Sequence, residues 1–130
     1  MPIEIKASNT IQYSDDGVNS TSQTSPTKIK ELSMISAYTG SWRVYFEMSD
    51  NFGSAGVGQI YKNGIPYGYQ QPSNWGYTSY TQDFTNINII AGDKIQIYAY
   101  AYSIDEIDIK NFRIEFDTVC PALGAQLTLI

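Results

Sequence analysis

The sequence predicts an all-β fold, an antiparallel β-sandwich or jelly roll, from three observations. Apolar residues alternate with polar or tyrosine residues along several segments, which is typical of strands with one buried face. Residue pairs that favour tight turns lie between these segments. No long window shows the helical period of apolar residues. The chain of 130 residues is long enough for one domain with its own core.

Three segments carry the clearest alternation. The residues predicted to face the core are Trp42, Val44, Phe46 and Met48 in the first segment, Ile95, Ile97, Ala99 and Ala101 in the second, and Phe112, Ile114 and Phe116 in the third. The residues between them are mostly polar, charged or tyrosine. Each segment is therefore predicted to be a strand that packs on one common core.

Turn residues separate further strands. Asn63-Gly64 lies between residues 57–62 and 65–69, and this pair is preferred in type I′ hairpins because both positions require a positive φ. Ala91-Gly92-Asp93 predicts another tight turn, between residues 84–90 and 94–102. Strands are also predicted at residues 28–35 and, more briefly, at 3–6.

The chain divides into three predicted regions. Residues 1–27 are an N-terminal arm with a flexible loop, because residues 14–27 are almost all polar. Residues 28–117 form the sandwich domain. Residues 118–130 form a C-terminal tail whose apolar anchors are Leu127, Leu129 and Ile130. Two interpretations of the tail remain open: a segment that docks on a partner, or one more strand of the domain.

Composition excludes several functional classes. The chain has no histidine and a single cysteine, Cys120, so histidine-dependent triads, the usual zinc sets and an intrachain disulfide are excluded. The net charge is −5 with basic residues scattered along the chain, which argues against nucleic acid or a membrane as a partner. The N-terminus does not have the pattern of a signal peptide. We expect no cofactor, no metal site and no enzymatic activity.

Four motifs then occur in a familiar order. They are GSWRVYF at residues 40–46, IYKNG at 60–64, IIAGD at 89–93 and NFRI at 111–114. This order resembles the jelly-roll head domains of complement and tumour-necrosis-factor-like proteins, and still more the virion appendage proteins of phages and prophages that carry an Ile-Tyr-Lys-Asn-Gly hairpin. The resemblance implies a jelly roll that assembles as a homotrimer along its β faces.

The resemblance also implies a function. We expect a non-enzymatic structural protein of a tailed-virus particle, made in the host cytoplasm and displayed on the capsid or tail surface as a decoration, turret or fibre-type module. Its expected partners are copies of itself, other virion proteins and a host-surface glycan. The alternative is a carbohydrate-binding module or lectin. A glycan-cleaving enzyme would need a pair of carboxylates in a cleft, and nothing in the sequence marks such a pair.

Two groups of aromatic residues are candidate contact sites. Tyr98, Tyr100 and Tyr102 share one face of a strand, about 7 Å apart, and are predicted as a subunit interface or, alternatively, as a platform for sugar rings. The second group lies in a region of low charge, where rigid rings and amides are typical of recognition loops; it consists of Tyr67, Tyr69, Trp75, Tyr77 and Tyr80. These side chains either contact a ligand or partner, or pack the loop onto the sandwich.

Overall fold

The computed structural model describes residues 2–53, 55–103 and 105–119. The strands in these residues are β1 (Ile3–Asp15), β2 (Asn19–Thr21), β3 (Thr27–Ser33), β4 (Tyr38–Asp50), β5 (Gly56–Lys62), β6 (Ile65–Pro72), β7 (Thr78–Ile89), β8 (Lys94–Ala101) and β9 (Ile107–Thr118). The predicted tail anchors Leu127, Leu129 and Ile130 lie outside the described residues, as does Cys120. The docking tail therefore stays a prediction.

The strands form two sheets that pack as a β-sandwich. One sheet has five strands in the order β2-β9-β1-β4-β7, and the other has four in the order β3-β8-β5-β6. The core between them contains side chains from both sheets. The all-β sandwich expected from the sequence is thus confirmed.

The predicted core faces are also confirmed. Every residue assigned to a core face in the three alternating segments is at most 2% exposed. At the predicted hairpin, Asn63 and Gly64 have φ values of 53° and 80°, as a type I′ turn requires. Gly92 has a φ of 95° in the second turn, where Asp93 N donates to Ile90 O at 3.1 Å.

One pairing departs from the expected antiparallel arrangement. β1 and β4 are parallel where Ile3 pairs with Tyr38 and Ile5 with Gly40. Gly40 has a φ of 126°, and a Cβ atom at this position would clash with the Ile5 carbonyl oxygen. Glycine therefore permits the close parallel contact, which the alternation pattern does not reveal.

The prediction of a separate arm and flexible loop over residues 1–27 is corrected. β1 lies between β9 and β4 in the five-stranded sheet, and β2 pairs with the start of β9. Most β1 side chains are exposed and only Ile5 is buried. Because backbone pairing with β9 rather than apolar burial holds this strand, its sequence lacks the alternation by which strands are recognised.

A buried lysine connects this N-terminal part to the other sheet. The side chain of Lys30 on β3 is 0% exposed. Its ammonium group lies 2.9 Å from Asp15 Oδ1 and donates to Asn19 Oδ1 at 2.8 Å. These contacts join β3 to β1 and β2, so the polar run after β1 is anchored to the sandwich.

Two features are absent from the described residues. No helix in this part of the chain is long and apolar enough to cross a membrane. Within the same residues, no three or more histidine, cysteine, aspartate or glutamate side chains are grouped as a metal ion would require.

Candidate functional site

The outer face of the four-stranded sheet carries the tyrosines of β8. Because alternate residues of β8 face the core, Gln96, Tyr98 and Tyr100 point away from it. On the neighbouring strand β5, Gln59 pairs with Tyr98 and Tyr61 pairs with Gln96. The sheet register therefore brings tyrosines and amides of two strands together on one surface.

These side chains surround a shallow open depression of about 150 Å³. Its lining residues come from β5, β8 and the segment before β3, and they are Pro26, Val57, Gln59, Tyr61, Tyr98 and Tyr100. None of the six carries a charge at neutral pH. The surface is thus aromatic and polar but not ionic.

A stacked pair of tyrosines forms part of this lining. The rings of Tyr61 and Tyr98 are nearly parallel, with centroids 3.9 Å apart and an angle of 10° between the planes. Tyr61 is only 8% exposed. Burial raises the pKa of Tyr61, and the neighbouring Tyr98 and Tyr100 raise it further. The Tyr61 hydroxyl therefore stays protonated at neutral pH and keeps its proton for donation.

Gln59 supplies an amide with a fixed orientation. Its Nε2 donates to the Gly68 carbonyl oxygen of β6 at 2.8 Å. This hydrogen bond holds the side chain across the two strands and distinguishes the amide nitrogen from the oxygen. The Oε1 atom has no hydrogen-bond donor among the described residues, so it is available to accept from a ligand.

The charged groups of the same face have partners on that face, and Lys28 lies opposite Tyr98 in the sheet register. Glu31 accepts from Lys28 Nζ at 3.1 Å and from Gln96 Nε2 at 2.9 Å. The Gln96 hydrogen bond, followed by that of Lys28, lowers the pKa of Glu31. Lys94 Nζ donates to Ser33 Oγ at 2.8 Å. The ionic groups therefore lie along β3 and the start of β8 and have partners there.

The second predicted group, around residues 67–80, is divided by the structure. Tyr67 packs on Trp42 and Phe84, with ring centroids 6.3 Å and 4.7 Å away. Tyr80 packs on Phe46 at 5.6 Å, and its hydroxyl donates to the Pro72 carbonyl oxygen. These two rings therefore extend the core toward the open edge between β6 and β7.

The other three aromatic residues of this group are more exposed. Tyr69 and Trp75 are 73% and 75% exposed. The ring of Tyr77 is covered by the Lys110 ammonium group, 4.0 Å from the ring centroid. A further exposed ring, Phe52 at 69%, lies in the loop after β4, and sequence reasoning missed it because it belongs to no alternating segment.

Asp50 organises the loops that carry Phe52 and Trp75. Its carboxylate accepts hydrogen bonds from the backbone N–H groups of Phe52 (2.9 Å), Gly53 and Ala55 (3.1 Å), and from Ser73 Oγ. Burial by itself raises the pKa of Asp50, but the hydrogen bonds from Ser73 and the three N–H groups outweigh it and lower the pKa below its usual value. This end of the sandwich is therefore held by an ionised, fully used carboxylate.

Sequence reasoning identified part of the depression only. It singled out Tyr98 and Tyr100 but not Tyr61, Gln59 or Pro26. Tyr61 was used only as part of the hairpin motif. Its stacking on Tyr98 depends on a diagonal relation between two strands, and the two residues are 37 positions apart in the sequence. The tyrosine in the outward position before the Asn-Gly turn was the one signal that could have found it.

This chain is similar to known proteins in structure but not in sequence. No protein-family model and no curated protein sequence matches this chain. The chain is similar to the C-terminal domain of EclA, described as a sugar-binding protein, with a TM-score of 0.58 and 9% identity over 78% of this chain and 79% of that one. It is also similar to BiXyn10A CBM1 in its apo form, with a TM-score of 0.51 and 10% identity over 82% of this chain and 99% of that one. At these identities the similarity shows a shared β-sandwich fold.

Proposed function

We propose that this protein is a non-catalytic carbohydrate-binding domain whose site is the depression on the four-stranded sheet. The observation that carries the proposal is the stacked pair Tyr61–Tyr98, with Tyr100 and the oriented amide of Gln59 around one uncharged hollow. Tyrosine rings supply apolar surface together with a polar hydroxyl. A sugar ring presents the complementary combination of C–H faces and hydroxyl groups.

The fold supports the same function. Both similar structures are described as sugar-binding or carbohydrate-binding domains, which agrees with the alternative that the sequence left open. Fold similarity alone does not define a site. The tyrosines and the amide of this chain therefore carry the proposed binding.

Binding without catalysis follows from the residues that line the depression. Glycoside hydrolysis requires two carboxyl groups placed on either side of the scissile bond. The lining consists of proline, valine, glutamine and tyrosine, which supply neither an acid nor a base of that kind. We therefore assign recognition to this surface and no chemical step.

The predicted homotrimer concerns the same surface. A trimer that buried Tyr98, Tyr100 and Tyr102 would cover the proposed sugar site. The two hypotheses therefore compete, and light scattering of the purified protein separates them.

The strand orders also bear on the predicted jelly roll. The order β9-β1-β4-β7 in one sheet and the order β3-β8-β5-β6 in the facing sheet support that description of the fold. The place on a tailed-virus particle stays a prediction, and neither similar structure is described as a virion protein.

Glycan binding by single-tyrosine variants tests the function. A glycan array, followed by calorimetry with the glycans it selects, should detect binding by the native chain. Tyr98→Ala and Tyr100→Ala should each weaken it by about tenfold, because a lost ring contact of about 1.4 kcal/mol corresponds to that factor. Tyr45→Ala, on the outer face of the other sheet, is the matched control and should bind normally. Absence of binding by the native chain, or equal binding by Tyr98→Ala, contradicts the proposal.

A further inference from the structure

The aromatic surface continues beyond the depression toward the loop end of the sandwich. Tyr98, Tyr100 and Tyr102 occupy alternate positions, so neighbouring residues of the three are about 7 Å apart along the strand. Tyr102 follows the last residue of β8, but its N–H still donates to the Ala55 carbonyl oxygen at 2.7 Å. Its ring lies 6.1 Å from that of Tyr100 at an angle of 71°. Tyr98, Tyr100 and Tyr102 therefore form a track of aromatic residues along the strand, and the rings of Tyr100 and Tyr102 meet edge to face.

Exposure differs between the depression and the loop end of the track. Tyr61 in the depression is 8% exposed, whereas Tyr102 is 61% exposed. The depression is shallow and open to solvent and does not enclose a ligand. A ligand seated in it can place only part of its surface there, and the next aromatic surface available to the rest is Tyr102.

The far end of the track is rigidly supported. Ala55, which pairs with Tyr102, donates its own N–H to the buried carboxylate of Asp50 at 3.1 Å. The same carboxylate holds the loop that carries Phe52. Because the backbone at Tyr102 is already hydrogen-bonded, a ligand there would have to order the tyrosine side chain but not the strand end that carries it.

The charge distribution restricts the chemistry of the ligand. The track is built from tyrosines, and the lining of the depression is uncharged. The nearest ionic groups of the same sheet face, Lys28 and Glu31, are paired with each other at 3.1 Å. The whole chain carries a net charge of −5, which disfavours polyanionic glycans.

We infer that the ligand is an extended, uncharged glycan that lies along β8, with one sugar unit in the depression and further units over Tyr100 and Tyr102. This inference rests on the proposed function, because it describes the ligand of the same site. It adds a direction and a minimum length. Residues Tyr98 to Tyr102 span about 13 Å of strand, which is longer than a single sugar ring.

Titration with oligosaccharides of increasing length tests the inference. The neutral glycan that binds best on an array, and its fragments down to the monosaccharide, are titrated into the native chain. Affinity should rise with each added unit and then level off. Tyr102→Ala should lower the affinity for the longer oligosaccharides by at least about fivefold and so remove this gain. It should change the affinity for the shortest binding fragment by less than about twofold. Tyr98→Ala should weaken all lengths.

The outcomes separate the inference from the proposed function. Binding that does not depend on length, or that Tyr102→Ala weakens equally at every length, overturns the extended ligand but leaves sugar binding intact. Array binding only to sialylated or sulfated glycans, or binding that weakens strongly as NaCl is raised, overturns the uncharged ligand. No binding to any glycan overturns both. Tyr69→Ala, an exposed tyrosine outside the track, is the control that should leave every affinity unchanged.

Discussion

The outer faces of the two sheets are built from different interactions. On the five-stranded sheet, the guanidinium group of Arg43 forms two hydrogen bonds with Asp83, at 2.7 and 3.1 Å, and Arg113 pairs with Asp16 at 3.0 Å. On the four-stranded sheet, the centre of the face is formed by stacked tyrosines. Ion pairs dominate the first of these faces and tyrosine rings occupy the centre of the second, although both cover the same core.

The two faces differ in whether their side chains are already paired with each other within the protein. The charged groups of the five-stranded sheet already use their hydrogen-bonding capacity on each other, so a ligand there would have to break existing pairs. Tyr98 and Tyr100 line an uncharged depression and take part in none of the ion pairs of the described residues. A ligand on the tyrosines of the four-stranded sheet therefore need not break an ion pair, which is the physical basis for placing the site there.

The largest expected effect is a difference in the free energy of unfolding between variants at two consecutive residues of β4. Trp42 is 0% exposed in the core, whereas Arg43 belongs to the ionic outer face. Trp42→Ala should lower the free energy of unfolding by about 3–5 kcal/mol, and Arg43→Ala by less than about 1 kcal/mol, as measured by urea denaturation. Equal losses would show that the ionic face, and not the core alone, holds the five-stranded sheet.

Two carboxylates should respond to pH in opposite directions. Asp50 has a lowered pKa, so its ionised form stabilises the folded state above the unfolded pKa of about 3.9, and this contribution is lost as the pH falls through the folded value. Asp50→Asn should therefore cost about 1.5–3 kcal/mol at neutral pH, the range for hydrogen bonds to a charged group. The cost should shrink as the pH falls below the unfolded pKa and through the lower folded value, as read from urea denaturation across the pH range.

Glu115 provides the opposite case on the ionic face. Burial raises its pKa, although the nearby guanidinium groups of Arg43 and Arg113 oppose this. Folding therefore favours the protonated form, and the stability this provides is present below the unfolded pKa and is lost as the pH rises through the folded value. Glu115→Gln should stabilise the fold at neutral pH and have little effect in acid. A destabilising effect at pH 7 would mean that the two arginines require the charge.

The smallest expected effects distinguish the two faces by their salt dependence. A double-mutant cycle on Tyr61 and Tyr98 should give a coupling free energy of about 0.5–1.5 kcal/mol. The same cycle on Arg43 and Asp83 should give about 0.2–1 kcal/mol. Raising the salt concentration should reduce only the ionic coupling, because mobile ions screen charges and not ring contacts. A salt-sensitive tyrosine coupling would contradict the stacked geometry.

Much of the fold could be predicted from local patterns. The core face of β4 and the turn at Asn63-Gly64 follow from side-chain polarity and backbone preference within a few residues, and both are confirmed. β1 could not be predicted in full, because its pairing with β9 joins distant parts of the chain. The role of Lys30 was hidden for the same reason, since a lysine in a sequence is normally read as exposed.

The candidate site shows the same division between local and non-local information. The sequence by itself determined that the fold is all-β, which faces of the alternating strands enter the core, and that Tyr98, Tyr100 and Tyr102 share one side of a strand, because these properties depend on a period of two residues. Only the tertiary structure decided that Tyr61 stacks on Tyr98, that Gln59 is oriented by Gly68, and that Tyr102 is supported through Ala55. These contacts depend on the register between strands, and register is set by how the whole sandwich packs.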